Sequence, residues 1–141
     1  MGRVFPGFAG NSGKPVIELK LKQTTYRKGR TAEDIACKYL ARQGFKLLAR
    51  NYHSRRGEID LIMRDDDIIV FIEVRSRKDN RTMNVVESID SQKRARIIQT
   101  SQQYLQSDKN FRDCICRFDI VLVKGQLESA EIEWIKNAFE A

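Results

Sequence analysis

Five consecutive apolar residues, Ile68-Ile69-Val70-Phe71-Ile72, are followed by Glu73 and then by Val74-Arg75. A strand that is apolar on both faces needs cover on both sides, so this run predicts the central strand of a sheet with helices packed above and below. A carboxylate in that run is costly to bury alone. Glu73 must be paired, bound to a cation, or placed where the strand end opens into a cleft. Because side chains alternate with a period of two, Arg75 and Arg77 share its face, with the Cα atoms of Glu73 and Arg75 roughly 6–7 Å apart.

The flanking segments supply the cover. Ala32, Ile35, Ala36, Tyr39 and Leu40 recur at spacings of three and four, which predicts a helix over 31–43. Thr31 is placed as its N-cap with Asp34 three residues on, and Gly44 as its C-terminal stop. Three strands are expected over 45–51, 58–63 and 68–77, and the short connections at 54–57 and 64–67 favour an antiparallel meander. A second helix is expected over 88–107, with Ile97, Ile98, Ser101, Tyr104 and Leu105 on its inner stripe. Strands over 116–123 and 131–134 follow, joined by Lys124-Gly125-Gln126. This order is that of an α/β domain with one mixed sheet flanked by helices.

A chain of 141 residues fits one domain, expected over residues 25–141. Residues 1–24, with their scattered Gly and Pro, read as a flexible tail, in which residues 16–22 alternate apolar and charged like an edge strand. No run approaches the ~20 apolar residues of a membrane helix, and the expected location is cytoplasmic. Cys37, Cys114 and Cys116 are too few and wrongly spaced for a disulfide scaffold or a zinc site. They read as small packed hydrophobes. His53 is the only histidine, which excludes a multi-histidine metal site.

Charge is divided along the chain. Residues 1–57 carry a net +10 and residues 58–141 a net −3, within a total of +7. The basic half suits a polyanion and the acidic half suits a site needing concentrated carboxylates. Arg27, Lys28, Arg30, Arg55 and Arg56 lie in predicted loops beside the core elements, and Arg77 extends the same surface. Together they are the candidate nucleic-acid contacts.

In Gly57-Glu58-Ile59-Asp60-Leu61-Ile62 a second carboxylate sits among apolar residues. A hairpin centred on Asp66 brings Asp60 within one residue of facing Glu73. Two opposed carboxylates repel unless a proton or a divalent cation lies between them, and carboxylate oxygens with water and phosphate suit Mg²⁺. The bland alternative is an ion pair of Asp60 with Arg75 or Arg77. Asp119 is likewise open between a buried ion pair and support for the carboxylates, and Trp134 reads as a core or edge anchor.

The Gly57-to-Ile62 block, followed by Val70-Phe71-Ile72-Glu73-Val74-Arg75-Ser76-Arg77, resembles the signature of the YraN-type family of small bacterial proteins. Lys28-Gly29, Ala32-Glu33, Lys93, Tyr104-Leu105 and Arg117-Phe118-Asp119 extend the resemblance over residues 26–139. That family is similar to the PD-(D/E)XK, restriction-endonuclease-like superfamily. The resemblance implies an αβββαβ core and a Mg²⁺- or Mn²⁺-dependent nuclease with Asp60 and Glu73 as metal ligands. It also implies Glu33 as an additional acidic ligand of the kind that resolvase-like members carry. The position after Val74 is lysine in the superfamily pattern. Here Arg75 stands there, and a guanidinium stays protonated and cannot serve as a base. It can still orient water or stabilise charge on the phosphate, while Lys93 on the second helix is the candidate to supply the ammonium.

The implied activity is hydrolysis of DNA phosphodiester bonds, with branched or single-stranded DNA as candidate substrates. One rival is a DNA-binding module that keeps the fold and basic face but has lost cleavage through Arg75. Another is a partner-recruiting scaffold whose residues 1–24 dock by strand addition.

Overall fold

A computed structural model describes residues 31–78 and 84–141. In chain order the elements are α1 (Ala32–Arg42), β1 (Lys46–Ser54), β2 (Gly57–Asp65), β3 (Ile68–Arg77), α2 (Ser91–Ser107), β4 (Ile115–Lys124) and β5 (Glu131–Phe139). The strands stand side by side in sequence order. The short turns at Arg55-Arg56 and Asp66-Asp67 fold β1, β2 and β3 back on one another as antiparallel neighbours. After β3 the chain runs through α2 before returning, and a crossover of that length sets β4 parallel to β3. β5 then comes back antiparallel along β4. The result is the expected αβββαβ order in one mixed sheet flanked by helices, with a fifth strand added at the edge.

β3 occupies the centre, and its alternation serves two layers. Val70 and Ile72 pack with Leu61, Met63, Val121 and Val123 under Ala36 and Leu40 of α1. Ile69 and Phe71 pack with Ile62, Phe118 and Ile120 under Ile97 of α2. α1 begins at a capping box in which the Asp34 amide donates to Thr31 Oγ1 and the Thr31 amide donates to Asp34 Oδ2. Gln43 is its C-cap, and Gly44 follows with φ +100°, a conformation glycine adopts without a Cβ penalty.

Several boundaries differ from those the sequence suggests. α2 starts at Ser91 because the Asp90 carboxylate accepts from the Lys93 amide at 2.8 Å, which leaves Ser88 and Ile89 in the preceding loop. β5 continues to Phe139, whose ring stacks on Phe118 at 5.0 Å between centroids and anchors the strand end in the α2-side layer. Residues 1–24, the alternating stretch at 16–22, and Arg27, Lys28 and Arg30 lie outside the described residues. Among the described residues no helix is long and apolar enough to cross a membrane.

Asp119 is settled as a buried ion pair. Arg117 Nε donates to its Oδ1 at 2.9 Å, Trp134 Nε1 donates to Oδ2 at 2.9 Å, and the Asn137 amide donates to Oδ1 at 2.9 Å. It lies on the α1 side of β4, and its partners lock β5 onto β4. Support for Asp60 and Glu73 is therefore not its role. Trp134 is an edge anchor as expected, with Tyr39 and Phe45 meeting it edge-on at 6.0 and 5.3 Å. Asp119→Ala leaves the Arg117 guanidinium without its buried counter-charge. It is expected to cost about 3 kcal/mol in urea unfolding and to shift the emission of the single tryptophan. A loss below about 1 kcal/mol would contradict this role.

Candidate functional site

The β2–β3 ladder ends at Leu61↔Ile72, one step short of Asp60 and Glu73. At that step a side chain takes over from the backbone, because the Val74 amide donates to Asp60 Oδ2 at 2.8 Å. The pleat of β2 also breaks there. Leu61 and Met63 fill the α1-side layer, yet Ile59 packs in the α2-side layer with Ile62. Regular alternation puts residues 59, 61 and 63 on one face, so the strand turns at Asp60. The two strands thus part just where the carboxylates stand.

Glu73 continues the Ile69-Phe71 face toward α2 and is only 6% exposed. Lys93, on the first turn of α2, places Nζ 2.7 Å from Glu73 Oε2. Arg75 Nη1 lies 3.7 Å from the same oxygen. Its Nη2 donates to the Ser88 carbonyl at 3.1 Å and to Ser88 Oγ at 3.3 Å. Arg94 braces the same loop through the carbonyls of Ile89 and Val86, at 3.1 and 3.0 Å. Arg75 is thereby held between the buried carboxylate and the loop before α2.

Burial, and then the charge of Asp60, push the Glu73 carboxyl up to about 7, although Lys93 and Arg75 pull the other way. Glu33, on the first turn of α1, is raised for the same two reasons, burial first and Asp60 second. The Arg50 guanidinium and a hydrogen bond from Asn51 hold it down. Arg50 sits 2.8 Å from Asp34 and 4.0 Å from Glu33, tying α1 to β1.

Asp60, Glu73, Arg75 and Lys93 therefore converge at one end of the β2–β3 pair. Glu33 approaches Asp60 from α1. Among the described residues no three His, Cys, Asp or Glu side chains come together in a metal-holding group. Arg77 lines a neighbouring cleft of about 410 Å³ with Arg75, Val85, Ser88 and Leu122. Arg55 and Arg56 are exposed at the β1–β2 turn, and that turn is docked on α2. Ser54 Oγ lies 3.0 Å from Thr100 Oγ1, and a Cβ at Gly57 would stand 3.2 Å from that of Arg96. Arg50, Asn51 and Ser88 carry no distinguishing sequence signal. Asn51 closes the strand expected over 45–51, and only the extension of β1 to Ser54 puts it inside one.

The model of the uncharacterised protein family UPF0102 matches residues 32–123. The chain belongs to this family. A UPF0102 protein of Pseudomonas aeruginosa is 43% identical over 123 residues, covering 85% of this chain and 98% of the relative. One from Nitrosomonas europaea is 48% identical over 113 residues, covering 80% and 93%. One from Nitrosococcus oceani is 44% identical over 120 residues, covering 84% and 97%. The UPF0102 match spans Glu33, Asp60, Glu73, Arg75 and Lys93, so the whole cluster lies inside the family region, whereas β5 lies beyond it.

The raised Glu73 carboxyl has a consequence for the metal-free protein. The folded state holds this proton up to about pH 7, whereas an unfolded glutamate releases it near 4.5. The folded state binds more protons between those values, so stability falls as pH rises from about 4.5 to about 7 and then levels. The loss is at most about 3 kcal/mol. Urea unfolding across that range is expected to show the decline in wild type and a flatter profile in Glu73→Gln. Equal slopes in the two proteins would remove burial of Glu73 as the cause.

Proposed function

We propose that this UPF0102 protein is a Mg²⁺- or Mn²⁺-dependent nuclease that hydrolyses DNA phosphodiester bonds at the Asp60–Glu73 site. The observation that carries the reading is the Lys93 ammonium 2.7 Å from Glu73 Oε2. It brings a lysine to a buried carboxylate from a different element, on a chain whose strand position after Val74 holds arginine.

The residues present fit a hard divalent cation. Asp60 and Glu73 offer oxygen donors only, and no third side chain completes the set among the described residues. Mg²⁺ commonly takes one or two carboxylates and keeps water and phosphate oxygens for the rest. The mutual repulsion of Asp60 and Glu73 is also what a cation relieves. When bound, the cation supplies the Lewis acidity that activates water and neutralises charge on the phosphoryl group.

The protein's part is positional and electrostatic. The Val74 amide holds one oxygen of Asp60, fixing the direction of the other. Lys93, held at Glu73, sets an ammonium where it can stabilise charge developing on the phosphate. Arg75 remains cationic throughout and keeps Glu73 and the Ser88 loop in place. Arg55 and Arg56, with Arg27, Lys28 and Arg30, bind flanking phosphates without reading sequence, whereas Arg77, expected among them from the sequence, has its Nε and Nη1 buried and does not present its guanidinium to a backbone. Branched and single-stranded DNA are the proposed substrates.

One observation favours a second reading, a DNA-binding module without cleavage. Glu73 already has two cationic partners, Lys93 and Arg75, and an ion-paired carboxylate resists a metal. Incubation of wild type, Asp60→Ala, Glu73→Ala and Lys93→Ala with duplex, single-stranded and branched DNA in Mg²⁺ or Mn²⁺ separates the two. The nuclease reading expects products from wild type, none from the carboxylate variants, and a loss of about 10²-fold or more in Lys93→Ala. Identical products from all four proteins would mark a contaminant. Salt-sensitive binding without products would favour the binding module.

A further inference from the structure

We propose that Asn51 is a positioning residue whose left-handed backbone turns Asp60 into the gap between β2 and β3. The importance attached to Asp60 rests on the nuclease reading above, but its placement by Asn51 does not.

Three observations meet at one point in the sheet. The β1–β2 ladder pairs Arg50↔Leu61 and Tyr52↔Ile59, so Asn51 and Asp60 occupy the step between and face each other across the strands. That step is passed over in the pairing. Asn51 has φ +49° in the interior of β1, a region that asparagine tolerates and β-branched residues do not. On the opposing strand the pleat breaks at Asp60, with Ile59 and Leu61 packed in opposite layers. A left-handed residue in one strand of a ladder bends it and increases the local twist, as in a bulge. The left-handed residue in β1 and the break in β2 thus stand at the same step, two residues beyond the register shift that β1 makes between Leu47 and Ala49. The result is that the Asp60 carboxylate reaches the Val74 amide at 2.8 Å across to β3. A regular pleat at this step leaves Asp60 on a sheet face, pointing at one helix or the other.

The Asn51 side chain also lies near Glu33 on α1 and helps hold that carboxyl down, but the placement of Asp60 is assigned to the backbone conformation alone.

The Val74 amide reports Asp60 placement directly, with no metal or substrate needed. Amide hydrogen exchange by NMR is measured on the metal-free full chain as wild type, Asp60→Ala, Asn51→Gly and Asn51→Val, with Ile62 and Phe71 as controls. Asp60→Ala sets the value for the lost hydrogen bond, expected about tenfold faster at Val74. Asn51→Val cannot hold a left-handed φ and is expected to speed Val74 exchange at least about fivefold, with the controls within about twofold. Asn51→Gly holds that φ without strain and is expected to stay within about twofold of wild type. Where Asn51→Val fails to fold, Asn51→Ala takes its place, with the same direction expected.

Unchanged Val74 exchange in the valine or alanine variant overturns the proposal. So does equal acceleration in the glycine variant, since glycine keeps the left-handed φ, and so does an Asp60→Ala variant that leaves Val74 protected. Mn²⁺ titration of the same proteins separates the two readings. Weaker binding in Asn51→Ala but not in Asn51→Gly supports both. A wild type that takes up no Mn²⁺ overturns metal dependence while the exchange result still decides the role of Asn51.

Discussion

Burial of a carboxylate on the central strand is the constraint around which the rest is arranged. Glu73 belongs by register to the apolar face that packs under α2, where an isolated charge is costly. The structure answers with the Lys93 ammonium from the helix and the Arg75 guanidinium from the same strand. Neither removes the cost fully, because the carboxyl still holds its proton to about pH 7. A fold seeking only stability does better with an apolar residue at such a place. A buried, repelled and incompletely neutralised carboxylate in this position is the feature on which the proposed site rests.

The strands must separate for that site to exist. Two well-paired strands hide their backbone groups from any ligand, and the β2–β3 ladder stops one step before the carboxylates. Asp60 takes the Val74 amide in place of a backbone carbonyl, so the parting leaves that donor satisfied. The same bond holds the acid against rotation. Around this opening the arginines divide their work. Arg75 and Arg94 grip the loop between β3 and α2, whereas Arg55 and Arg56 stand exposed on a hairpin tip docked against α2. Counting basic residues does not distinguish the two kinds, since a guanidinium that braces a loop is not available to a phosphate.

Local patterns in the chain were enough for most of the architecture. The three- and four-residue spacing of Ala32, Ala36 and Leu40 found α1, and Thr31 and Asp34 proved to be a capping box. Short connections correctly implied an antiparallel β1–β2–β3 meander, and a hairpin centred near Asp66 placed Asp60 across from Glu73. Boundaries slipped where a distant partner decided them. Asp90 capped α2 three residues later than its periodicity suggested, and Phe139 carried β5 onward because it had Phe118 to stack on. Asp119 was ambiguous until Trp134 and Asn137, from a strand far along the chain, were seen to share it.

The sequence by itself determined the central strand and the carboxylate pair on neighbouring strands. These follow from periodicity and covalent spacing, which act within an element or across one tight turn. Only the tertiary structure decided that Lys93 meets Glu73, that Arg75 turns to Ser88, and that Asn51 takes a left-handed φ opposite Asp60. The angular phase at which α2 settles on the sheet sets the first of these, and the pairing of two irregular strands sets the last. Both depend on how whole surfaces fill space against each other, and no local stretch of residues encodes that.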